Sequence, residues 1–122
     1  MLTPGIHASY GAGVAALEAN PASRRVAQGQ QASSPTRCTA ALFETSAAAF
    51  LADAALGHEV FGAASVLVRC ADLREVAAVI AGLEGQLTAT IHMDSADGAA
   101  AASLLPLLQA KAGRVLANGW PT

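Results

Sequence analysis

The sequence predicts an α/β domain of three layers, with helices on both faces of a mainly parallel sheet. Three observations carry this. From Thr39 onward, stretches that alternate every two residues take turns with stretches of helical period. The connections between them are short. The resulting order of strand, helix, strand, helix, strand, helix, strand is the rhythm of βαβ units, whose parallel strands are joined by crossing helices. At 122 residues the chain fits one domain, read as a helix over 1–19, a loop over 20–37 and βα units over 38–122.

Thr3-Pro4 predicts a helix start, because a threonine hydroxyl accepts from an unpaired backbone N–H and proline gives up a donor that had no partner. The helix runs from Pro4 to Ala19 with Ile6, Tyr10, Val14 and Leu17 on one face. Gly11 and Gly13 weaken it by up to ~1 kcal/mol each. Asn20 to Arg37 reads as a long loop with a short strand at Arg25 to Gln28.

Strand-like Thr39 to Thr45 and helical Ala47 to Leu56 come next, then a strand over Ser65 to Cys70. Asp72 and Glu75 have the spacing of a capping box for a helix with the stripe Leu73, Val76, Ala77, Ile80 and Leu83. Gly82 and Gly85 are expected to end it in the left-handed conformation. Gln86 to Met93 alternates Leu87, Ala89, Ile91 and Met93 against Thr88, Thr90 and His92, so one strand face is expected to be the more polar. Asp94 or Ser95 caps a helix that Pro106 kinks and Gly113 closes, and Arg114 to Asn118 is the last strand.

Composition excludes several functions. The chain is 53% hydrophobic and 13% charged, much of the apolar part alanine, which fills little core volume and suggests a piece of something larger. Seven scattered Lys and Arg residues at net charge -2 form no basic stripe for nucleic acid. No secretory signal pattern opens the sequence, and Ala99 to Leu108 falls short of the ~20 residues that span a bilayer, so a cytoplasmic protein without membrane contact is expected. Cys38 and Cys70 are expected to stay reduced. His7, His58 and His92 lack metal-ligand spacing, so no metal is expected.

Between helix and strand lies His58-Glu59-Val60-Phe61-Gly62-Ala63. Glu-Val-Phe-Gly resembles the Glu-Ile/Val-Phe-Gly-Pro signature of NAD(P)-dependent aldehyde dehydrogenases, with Ala63 where the family usually has proline. Ala41 to Thr45, Leu83 to Thr90 and Lys111 to Gly119 resemble three further family segments, in the same order. The wording Leu-Glu-Gly-Gln-Leu-Thr-Ala-Thr and Asn-Gly-Trp-Pro-Thr is most similar to the branch that oxidises 2-oxoglutarate semialdehyde.

The resemblance implies the C-terminal part of a catalytic domain. Glu59 would bind the nicotinamide ribose hydroxyls, Phe61 would pack beside the nicotinamide ring, and Asn118 would lie near the aldehyde pocket. A ribose diol suits a carboxylate, which accepts from both hydroxyls. The family's dinucleotide-binding domain, general-base glutamate and Gly-Gln-x-Cys nucleophile have no counterpart in these residues. A fragment with no catalytic residue of its own, inactive alone and holding no NAD or NADP, is therefore expected. Its partners would be the rest of the enzyme, a small aldehyde and further copies of itself. A non-catalytic interaction module on the same scaffold is the alternative, and a small thiol enzyme using Cys38 a third reading.

Overall fold

A computed structural model describes residues 3–31, 34 and 36–120. Residues 32, 33 and 35 of the expected loop, and the Pro121-Thr122 end of the last motif, lie outside the described residues. The chain divides into two compact units, one running through Arg69 and the other beginning at Cys70. It has a mixed α/β fold built on two small sheets.

The first unit opens with α1 (Pro4–Ala19), capped as expected: the Thr3 hydroxyl accepts from the Ile6 N–H at 3.2 Å. Its predicted face points inward, with Tyr10 and Leu17 buried and Ile6 and Val14 half-buried. The short strand in the loop is β1 (Arg24–Gln28), and it pairs antiparallel with β2 (Ala41–Ser46) through a bulge between Arg25 and Ala27. β2 leads directly into α2 (Ala47–Ala52), whose cap is Ser46, and then into a 3₁₀ turn over Ala54–Gly57 capped by Asp53. β3 (Ala64–Arg69) returns parallel to β2, giving the order β1-β2-β3.

Alternation along β2 is strict. Ala41, Phe43 and Thr45 are buried, and the Thr45 hydroxyl donates to the Ala22 carbonyl at 2.7 Å, which removes the penalty for an unpaired buried hydroxyl. Phe43, fully buried, centres a core with Leu17, Ala41 and Leu56, against which Val14, Phe50, Val60 and Val66 pack. The other sheet face carries Leu42 and Leu67 and an ion ladder in which Glu44 accepts from Arg24 at 3.0 Å and Arg69 at 2.7 Å.

The second unit contains α3 (Leu73–Gly82), β4 (Gln86–Ile91), α4 (Gly98–Lys111) and β5 (Ala112–Ala117), with β4 and β5 parallel. Asp72 caps α3 by accepting from the N–H groups of Arg74 and Glu75, while Glu75 reaches back to the Ala71 N–H at 2.7 Å, one residue earlier than a standard capping box. Two expected glycine stops are not used. Gly62 is the one described glycine with positive φ, so Gly82 and Gly85 are not left-handed. Instead Leu83 turns extended and its N–H is shared between the carbonyls of Val79 and Ile80, while the Lys111 ammonium donates to the Leu83 carbonyl at 2.7 Å. Likewise α4 passes through Pro106 and changes into β5 at an extended Ala112, before Gly113 is reached.

The core here is thin: Ile80 and Ala101 are its buried apolar residues, and a cavity of about 580 Å³ lies between α4 and the strands, lined by Ile91, Met93, Leu105 and Val115 among others. Leu87, expected on the apolar face, is 91% exposed, because α4 covers the later residues of that face and not its start.

Candidate functional site

The segment His58 to Ala63 enters β3 as a turn that is pinned at alternate points. Val60 is half-buried and packs on the first unit's core. Gly62 sits at φ 152°, a conformation side chains resist, so glycine is required there. The Ala63 carbonyl accepts from the Ala41 N–H at 3.0 Å and from the Tyr10 hydroxyl at 3.3 Å. These two bonds fasten the turn that the family's proline would otherwise stiffen. Tyr10 also donates to the Thr39 carbonyl at 2.6 Å, so one phenol joins α1 to the entry of both parallel strands; burial, and then the Cys38 thiol beside it, push its pKa up.

With Val60 turned inward, Glu59 and Phe61 on either side turn outward. Glu59 is exposed, and its carboxylate takes no hydrogen bond or ion pair from the described residues. Phe61 is 63% exposed, an unusual state for so large an apolar ring. The loop brings these two expected residues together, at the edge where β2 and β3 begin.

Asn118 belongs to the second unit, just past the end of β5, with φ at 50°. Its N–H donates to the Ile91 carbonyl at 2.9 Å, its Oδ1 accepts from the Met93 N–H at 2.8 Å and its Nδ2 donates to the Met93 carbonyl at 2.9 Å. It stands at the carboxyl ends of two parallel strands, where open α/β sheets place their ligands.

No protein-family profile matches the chain. An alpha-ketoglutaric semialdehyde dehydrogenase 2 from Azospirillum brasilense is 51% identical over 122 residues, all of this chain and 23% of that protein. An alpha-ketoglutaric semialdehyde dehydrogenase from Acinetobacter baylyi is 38% identical over 123 residues, again across the whole chain and 23% of the relative. In sequence the chain is similar to a segment of these two dehydrogenases. It spans about a quarter of the length of these relatives.

Neither cysteine is bridged. Cys70 is half-buried, and burial first, then the carboxylates of Glu75 and Asp72, push its thiol pKa up, the opposite of an activated nucleophile. Cys38 lines a cavity of about 190 Å³ with His7, Tyr10, Arg25 and Gln28. Among the described residues no three His, Cys, Asp or Glu side chains converge as a metal site, and no helix is long and apolar enough to cross a membrane.

Several residues that shape the site escaped the sequence reading. Gly13 faces Val60 so closely that a Cβ there would lie 2.9 Å from its Cγ1. Glu44 joins three strands, and a glutamate alternating with buried Phe43 was its one available signal.

Proposed function

We propose that the chain forms part of an NAD(P)-dependent aldehyde dehydrogenase that oxidises 2-oxoglutarate semialdehyde to the corresponding acid in the cytoplasm. The supporting observation is the 51% identity, in an alignment that spans all 122 residues, to a protein named for that substrate. In the whole enzyme these strands join a larger, mainly parallel sheet in a three-layer domain. The 122 residues by themselves turn over no aldehyde, since the nucleophilic cysteine, general-base glutamate and cofactor domain come from the remainder of the enzyme.

The residues present fit a nicotinamide cofactor. The Glu59 carboxylate, without a partner among the described residues, is an acceptor for two ribose hydroxyls, and the exposed Phe61 ring two residues on offers an apolar edge to a flat heterocycle. When bound, NAD(P) supplies a hydride acceptor. Glu59 holds the ribose, Phe61 packs beside the nicotinamide ring, and Asn118 stands near the aldehyde.

The test exchanges the matching segment of the Azospirillum enzyme for these 122 residues. The chimera is expected to oxidise alpha-ketoglutaric semialdehyde, and Glu59→Gln in it to raise the KM for the cofactor more than that for the aldehyde. A folded chimera with no activity, or substantial turnover by the 122-residue chain alone, would sink the reading.

A further inference from the structure

We propose that Asn118 is a positioning residue: its amide locks the ends of β4 and β5 together and thereby holds His92 and Trp120 as a ring pair facing the aldehyde pocket. Placing a pocket at these strand ends rests on the reading above. The ladder between the strands ends at the Ile91 and Ala117 pair, after which the Asn118 N–H still reaches the Ile91 carbonyl. Asn118 then turns left-handed, a conformation that asparagine adopts more readily than most residues. From there its side chain folds back on Met93, accepting from the N–H and donating to the carbonyl. One side-chain amide thus takes the place of a backbone peptide and extends the pairing by another residue.

The consequence falls on the neighbours. His92 lies between the two residues that Asn118 grips, and strand alternation turns its side chain away from theirs. Trp120 follows Asn118 by two positions, and its ring centroid is 5.1 Å from that of His92, with the planes at 49°. Trp120 is 82% exposed, so little besides the backbone on either side holds the pair. An imidazole donor beside an indole face suits a short aldehyde that carries a carboxylate. The Asn118 amide, by contrast, already uses both its oxygen and its nitrogen on Met93. It acts on the substrate through the pair.

The unique tryptophan makes this measurable in the 122-residue chain by NMR at fixed pH. The indole ring current is expected to displace the His92 ring-proton resonances relative to Trp120→Leu. Asn118→Gly tolerates the left-handed backbone but lacks the amide, and is expected to lose at least half of that displacement. A full displacement in folded Asn118→Gly overturns the proposal. Should that variant not fold, hydrogen exchange at the Met93 amide of the unaltered chain decides, with protection expected and exchange at the rate of an unstructured amide overturning it. Neither measurement involves cofactor or aldehyde, so both are independent of the dehydrogenase reading. In the chimera, Asn118→Gly and Trp120→Leu are each expected to raise the aldehyde KM several-fold, and the double variant no further than either alone; additive effects would refute action through the pair.

Discussion

Two glycines of α1, two residues apart, should respond to the same substitution with opposite signs. Gly11 has nothing within 4 Å of the place a Cβ would occupy, so Gly11→Ala adds only helix propensity and a stiffer unfolded chain, together about 0.5–1 kcal/mol of stabilisation. Gly13→Ala gains the same but sets a methyl 2.9 and 3.0 Å from the two Val60 methyls and 3.4 Å from its Cβ, where carbon atoms prefer ~3.5–4.0 Å. Valine is stiff at χ1 and presents both methyls to the helix, so no easy rotation clears the space. Overpacking of this kind costs about 1–3 kcal/mol, which meets or exceeds the propensity gain. Urea unfolding should therefore place Gly11→Ala above the parent chain and Gly13→Ala at or below it. Adding Val60→Ala to Gly13→Ala should relieve the clash, with a coupling of roughly 1 kcal/mol or more in the double-mutant cycle. Equal stabilisation by both glycine substitutions would refute the close approach. Because Val60 is the anchor between Glu59 and Phe61, Gly13→Ala in the chimera should also raise the cofactor KM.

Acid should weaken the fold through three carboxylates held below their usual pKa: Glu44 by Arg69 and then Arg24, Asp53 by the Asn20 amide and then the Ala55 N–H, and Asp72 by the Glu75 N–H and then Arg74. A lowered folded pKa gives stability that is complete above the unfolded value and lost as pH falls through the folded one, so the urea midpoint should hold from pH 7 to about 5 and decline below about 4. Asp72→Asn keeps a capping oxygen and should make that decline shallower; an unchanged slope would count against the assignment. Cys70 should alkylate at pH 7.5 more slowly than a small free thiol, and Glu75→Gln should speed it; a rate at or above that of the free thiol would contradict the burial argument. Leu42 and Leu67 on the open sheet face should promote self-association, so light scattering should show a lower mass for Leu67→Lys than for the parent, and a parent that is monomeric at high concentration would be the contrary result.

What the sequence revealed, and what it concealed, follows the range of the interactions. The Thr3 cap of α1, the Asp72 cap of α3 and the strand that holds Phe43 are settled within a few residues, and each was legible. The end of α3 was misread because part of its stop is not local: Leu83 turns extended without a left-handed glycine, and the cation on its carbonyl, Lys111, arrives from the end of α4. Gly13 read as a weak point of a helix because its partner, Val60, lies far along the chain. Glu59 and Phe61 stood out by type and order, but nothing nearby in sequence told that Val60, Tyr10 and Ala63 would hold the turn so that both face outward. The same holds for Asn118, whose resemblance placed it near an aldehyde while its bonds to Met93 depend on the register of β4 against β5. A short motif therefore names the groups that could meet a ligand, and residues remote from it decide where they point. Variants at Gly13 and Asn118 probe that second layer directly, since each leaves Glu59, Phe61, His92 and Trp120 intact and disturbs only what aims them.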